Sequence, residues 1–243
     1  MLMQHLLTLF LIIHIIAGAC ALLLFWLPAW LKKGSPNHIR FGRYYVNAMY
    51  TVAASGFFMA MLVMIDPLGL QRNLVVDNAN PDHQIMVIRS TRGFLLYLSL
   101  LTLASIRHGV LVLRHKTERQ ALKKPSHLLL TAGLAGFGPI LAIWGYTQQM
   151  TLLIIFGILG LLLGSGMLRY TFRSTLSKNQ WWIEHLGAMI GSGIAAHTAF
   201  FVFGMARFFE VDSTLRLLSW ILPGIIGGIA INYLSRFYQR KFG

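Results

Sequence analysis

Apolar residues fall into seven long runs along the chain, separated by short polar stretches. The runs cover roughly 6–30, 44–66, 93–113, 127–148, 151–170, 184–206 and 214–235. A helix needs about 20 apolar residues to cross the hydrocarbon core of a bilayer, and each run is of that order. None shows the period-two alternation of a lipid-facing barrel strand. The pattern predicts an all-α fold: a polytopic transmembrane helical bundle of seven spans, in one domain over residues 1–243. Runs four and five are joined by a few residues around Gln148 and Gln149, which predicts a tight helical hairpin. The longest connection, about 67–92, has turn signals from Asn78 to Asp82 and room for a short surface element over 84–88. It also holds or adjoins Asp66, Asp77 and Asp82, three of the few acids in the chain.

Composition agrees with the runs. The chain is 56% hydrophobic and 12% charged, whereas soluble domains carry about 25% charged residues. The net charge of +14 would suit nucleic acid, but the cations form no single face or stripe. They sit between the apolar runs, as in membrane proteins, which argues against a nucleic-acid partner and for the lipid bilayer. Connections after runs one, three and five, with the tail, hold 15 of the Lys and Arg residues: Lys32, Lys33, Arg40, Arg43, Arg114, Lys116, Arg119, Lys123, Lys124, Arg169, Arg173, Lys178, Arg236, Arg240 and Lys241. The opposite side holds 5: Arg72, Arg89, Arg92, Arg207 and Arg216. This bias places the N-terminus outside and the C-terminus in the cytoplasm. Cys20 is the only cysteine, so no disulfide forms within one chain. The stretch Ala17-Gly18-Ala19-Cys20 is faintly like a lipoprotein cleavage site. The run continues past it through Trp26 and no Lys or Arg precedes it, so an uncleaved first span is expected.

Small residues at helical spacing predict close packing of run six through Gly187, Gly191 and Ala195, of run five through Gly160 and Gly164, and of run seven through Gly224 and Gly228. Pro139 and Pro223 lie inside runs four and seven, where they would kink the helix. Tyr44-Tyr45 and Trp181-Trp182 fit interfacial belts.

Two groups could carry chemistry. His14 and His197 fall at similar predicted depths in runs one and six. They would suit two axial ligands of one haem iron, a shared metal ion, or packing contacts to nearby carbonyls and hydroxyls. His185 lies 12 residues before His197, about 18 Å of helical rise, which would suit a second haem with His108 as its other ligand. The second group gathers where the cations are dense. Arg107 and His108 lie in the inner half of run three, Glu184 and His185 open run six, His127 opens run four, and His38, Arg40 and Arg43 lie in the first connection. Such a patch suits a small anion, a lipid headgroup or a quinone carbonyl, or is simply a set of snorkelling interfacial residues. Arg107 is too far from a helix end to snorkel and is expected to pair, with Glu184 the only acid near its depth. No Lys in run seven means no retinal Schiff base. No acid lies deep in a run, which argues against a carboxylate proton relay. Phosphate-loop, zinc-protease and serine-hydrolase motifs are absent.

His14-x3-Gly18-x2-Ala21-Leu22, followed by Ser35-Pro36-Asn37-His38-x2-Phe41-Gly42-Arg43-x-Tyr45-Val46, resembles the signature of an uncharacterised bacterial membrane family, domain of unknown function 2306. Glu184-His185-Leu186-Gly187-x-Met189, Ala195-Ala196-x-Thr198-Ala199-Phe200 and Trp220-Ile221-Leu222-Pro223 are similar to its later motifs. Ile39 departs from the pattern, where Arg usually follows the histidine. The resemblance spans most of the chain and implies a bundle in the bacterial inner membrane, with no activity attached. The leading expectation, drawn from the two histidines, is membrane electron transfer through a b-type haem on His14 and His197. The alternatives are a non-enzymatic binding or transport bundle for a lipid or small anion, and an assembly subunit.

Overall fold

The computed structural model describes residues 1–71, 80–116, 118–205 and 212–242. Among them every regular element is helical. The order is α1 (Leu2–Trp30), α2 (Pro36–Ile65), the single turn α3 (Pro67–Leu70), α4 (Pro81–His115), α5 (Pro125–Thr147), α6 (Thr151–Phe172), α7 (Gln180–Ala199) and α8 (Ser213–Phe242). A 3-10 helix, Arg119–Lys123, leads into α5, and a π-helical stretch, Phe200–Gly204, extends α7. All but α3 are long and apolar enough to cross a membrane, giving seven spans. The chain is an integral membrane protein.

Local chemistry sets the helix starts. Proline occupies the first turn of α2, α4 and α5, where its missing N–H costs nothing. Ser35 caps α2 by accepting from the His38 N–H, and Asn80 caps α4 by accepting from the Asp82 and His83 N–H groups. α4 begins twelve residues before the apolar run that announced it, so 81–92 is helix and not loop. Its 35 residues rise about 52 Å, far more than the ~30 Å hydrocarbon core. The polar residues of its first three turns lower the local hydropathy, which therefore passed over them. Asn78, Asp77, Arg72, Arg207 and the last residue of run six, Ala206, lie outside the described residues.

The central helix is α4, which packs on α2, α5, α6 and α7. Three hairpins, α1–α2, α5–α6 and α7–α8, surround it, and α1 also touches α7. Half of the α4 span is buried, against 11% for α1 and for the α8 span, so those two helices face mainly lipid. The tightest crossing is α5 on α6. A Cβ on Gly138 would overlap the backbone of Gly157, and one on Gly157 that of Gly138. Gly160 makes room for the Tyr97 hydroxyl, which donates to the Leu134 carbonyl at 2.6 Å.

Two packing expectations change. Gly187, Gly191, Gly224 and Gly228 face nothing within 4 Å. α7 is approached closely at Gly193, under the Phe25 ring, against Gly109 of α4, where a Cβ would overlap Met189 and Ala188, and against Gly227 of α8, where a Cβ would overlap Ile194. Small-residue spacing marks a face on a helix but does not say what lies opposite. Tyr45, expected at the interface, is buried, its hydroxyl 2.7 Å from that of Ser192.

Candidate functional site at the basic end

Alternate crossing brings the C-terminal ends of α1, α4, α6 and α8 to the same end of the bundle as the N-terminal ends of α2, α5 and α7. The 15 cations of the odd connections and tail belong to this basic end. Some of them close helix termini. Lys33 donates to the Pro28 and Ala29 carbonyls at 2.8 and 2.6 Å, and burial lowers its pKa. Arg119 donates to the carbonyls of Tyr170, Arg173 and Ser174 at the end of α6. These cations satisfy carbonyls that helix ends leave unpaired. Arg40 lies over the ring of its neighbour Tyr44, and Arg43 is exposed on α2.

Behind this rim lies a polar cluster on four helices. His108 of α4 is 1% exposed. Its Nδ1 is 3.2 Å from Nε2 of His127 on α5, and its Nε2 is 3.1 Å from Oε1 of Glu184 on α7. The two imidazoles stack nearly parallel, with ring centroids 5.4 Å apart, and Tyr170 of α6 meets His108 edge-on. The close approach at Gly109 lets α7 reach this level, and the Gly109 carbonyl accepts from Nδ1–H of His185 at 2.9 Å. Arg107 is half-buried, and its Nη2 donates to the Ser126 hydroxyl at 2.9 Å. Three buried atoms here have no hydrogen-bond partner among the described residues: Arg107 Nε, His127 Nδ1 and Tyr170 Oη.

The cluster joins residues expected to act together but in different pairs. Glu184 meets His108, whereas Arg107 turns to Ser126. His108 and His185 do not face each other as two axial ligands would. His185 points its Nδ1 at a carbonyl, and His108 is held on both nitrogens. His38 caps α1 through its Nδ1–H to the Pro28 carbonyl, 3.1 Å away. His127, already a member of the expected patch, enters the cluster through His108, and Ser126 and Tyr170 join it although no role was expected for them.

His14 and His197 are not brought together. His14 Nδ1 lies 3.0 Å from the Ser55 hydroxyl, which itself donates to the Thr51 and Val52 carbonyls. The ring nitrogen must therefore be the donor to Ser55. His197 donates from Nδ1 to the Gly193 carbonyl at 2.8 Å and accepts at Nε2 from the Trp26 indole at 3.2 Å. Trp26 and His14 lie twelve residues apart on α1, about 18 Å of rise. Two axial imidazoles need nitrogens about 4 Å apart across an iron, and the Nε2 lone pair of His197 is already engaged. A haem shared by this pair does not fit, although α1 and α7 are adjacent. Among the described residues no three His, Cys, Asp or Glu side chains converge as metal ligands.

No protein-family model, no curated protein and no solved structure matches the chain.

Proposed function

We propose that the protein is a non-enzymatic binding or transport bundle of the bacterial inner membrane, with its basic end in the cytoplasm. There it takes a small anionic group, either a free anion or the phosphate of a lipid headgroup. Arg107 carries this reading. It lies two turns inside the end of α4, and an unpaired guanidinium within a span is costly, about 2.5–3.5 kcal/mol at the helix centre on insertion scales. Of its five N–H donors, Ser126 takes one, and the buried Nε has no partner among the described residues. A phosphate or carboxylate accepts two parallel bonds from such a fork and matches its charge. Lys33 and Arg119 are already spent on helix carbonyls, whereas Arg107 keeps a buried donor without a partner among the described residues. A quinone carbonyl would use the same donor without gaining from its charge.

The test is binding of inorganic phosphate to the detergent-purified protein, and of phosphatidylglycerol against phosphatidylcholine in nanodiscs, for wild type and Arg107→Gln. A hydrogen bond to a charged group contributes about 1.5–3 kcal/mol, so the variant should bind roughly 10- to 150-fold more weakly. Loss in the phosphate arm identifies a free anion, and loss in the lipid arm alone a headgroup. Equal binding by wild type and variant in both arms would overturn the proposal.

A further inference from the structure

At the end of the bundle opposite the basic one, a groove of about 420 Å³ runs between the first turns of α4 and the last turns of α5. Asp82 and Arg89 of α4 supply its charges, and Ile85, Met86 and Gly93, with Leu141 of α5, its apolar surface. The α4 residues share one face of the helix, because steps of three and four return to the same side. Trp144 of α5 forms the opposite wall. Its indole N–H donates to the Ser90 hydroxyl at 2.9 Å, which donates in turn to the Met86 carbonyl at 2.8 Å. The ring is thereby fixed to the α4 backbone. A Cβ on Gly93 would meet nothing within 4 Å, so the groove is open down to the start of the apolar run. Asp82 and Arg89 are both exposed, and no ion pair among the described residues engages either. Seven residues separate them, about 10 Å of helical rise.

We propose that this groove binds a phospholipid whose headgroup phosphate carries a primary ammonium, taken from the leaflet at that end. The order of groups along the groove is the order along such a lipid. Gly93 and Leu141 meet the start of an acyl chain, Arg89 the phosphate, Ile85 and Met86 the hydrocarbon link of the headgroup, and Asp82 the ammonium. The Arg89 fork offers a phosphodiester parallel N–H bonds and the matching charge. The Asp82 carboxylate accepts N–H bonds that a primary ammonium can donate and a quaternary one cannot. An anionic lipid would answer Arg89 and leave Asp82 without a counter-charge. A small soluble zwitterion would answer both charges and leave the apolar floor uncovered, whereas an acyl chain removes that floor from water. Ligand sites run from about 300 to 1,000 Å³, so the groove suits a headgroup and the first part of a tail, with the rest in the bilayer. Trp144 is an amphipathic ring of the kind that gathers at headgroup level. The groove shares no residue with the Arg107 site, so either can fail alone.

The test is native mass spectrometry of the full-length protein, released from detergent after incubation with equal amounts of phosphatidylethanolamine and phosphatidylcholine of matched acyl chains. Wild type should carry phosphatidylethanolamine in excess in its first lipid adduct. Asp82→Asn should bring the two lipids to equal occupancy, because its charge is what tells them apart. Arg89→Gln should weaken phosphatidylethanolamine binding roughly tenfold or more, the effect of losing a charged hydrogen bond. Gly93→Leu fills the floor with both charges in place and should weaken it too. Equal occupancy in wild type, the mark of unselective annular lipid, would overturn the proposal, as would a preference that survives Asp82→Asn or binding unchanged in Arg89→Gln. Binding of phosphoethanolamine as tight as that of the lipid would make the occupant a soluble zwitterion and overturn it as well. The wild-type comparison decides the matter by itself if a variant does not fold.

Discussion

Replacing Gly109 by alanine tests how the site is assembled. The new Cβ would overlap the Met189 methyl and stand 2.9 Å from the Ala188 Cβ. The methionine tip can swing aside, but the Ala188 Cβ is fixed to the α7 backbone. Ordinary contact needs at least about 3.4 Å, so α7 must retreat by roughly half an ångström or more. The His108–Glu184 bond, 3.1 Å long, would then stretch to about 3.6 Å, beyond hydrogen-bond range. Overpacking costs about 1–3 kcal/mol, and each interhelical bond lost in a membrane adds ~0.6 kcal/mol. Gly187→Ala is the control, because that position faces nothing within 4 Å and alanine favours helix by up to ~1 kcal/mol. Stability of the two variants would be compared by steric trapping or reversible unfolding in bicelles. Equal stability of Gly109→Ala and Gly187→Ala would refute the close α4–α7 contact on which the site depends.

Three further outcomes follow from the same geometry. Tyr45→Phe removes the buried hydroxyl contact with Ser192 and should cost ~0.6 kcal/mol, at most about 1.7, in the same unfolding assay; a neutral change would remove that contact from the account. A double-mutant cycle of Trp26→Phe and His197→Ala should show favourable coupling of about 0.5–1.7 kcal/mol, and additive effects would show that indole and imidazole do not interact. In a Cys20→Ser background, Thr147→Cys should react with an impermeant thiol reagent in intact cells and Ser177→Cys should not; the opposite result would reverse the orientation drawn from the cations.

The seven spans were legible because run length against bilayer thickness is a strong constraint. The first three turns of α4 were not, since hydropathy reads the hydrocarbon core and a capped polar helix can project beyond it. At the site, sequence drew Arg107, His108, Glu184 and His185 to one end of the bundle but paired them wrongly. Consecutive residues on a helix point about 100° apart, so whether Arg107 or His108 reaches α7 depends on a rotation of α4 that no spacing fixes. The same limit applies to His127, which was placed in the patch but whose inward turn onto His108 nothing in its spacing fixes. His14 and His197 were set at one depth by assuming that each span is centred and upright. In the fold, His197 meets the level of Trp26 on α1, and His14 that of Ser55 on α2. Tilt and offset between helices are decided by contacts such as Gly193 under Phe25, which only the folded bundle reveals.

The central claim is that Arg107 holds an anionic group at the basic end. A cryo-EM map of the protein in phosphatidylglycerol nanodiscs, with phosphate present, tests it most directly. The account predicts phosphate density within hydrogen-bonding distance of Arg107 Nε and Nη2, with the Ser126 hydroxyl alongside. A guanidinium turned into the acyl chains, or one whose every donor is met by protein carbonyls with no density beside it, would contradict it.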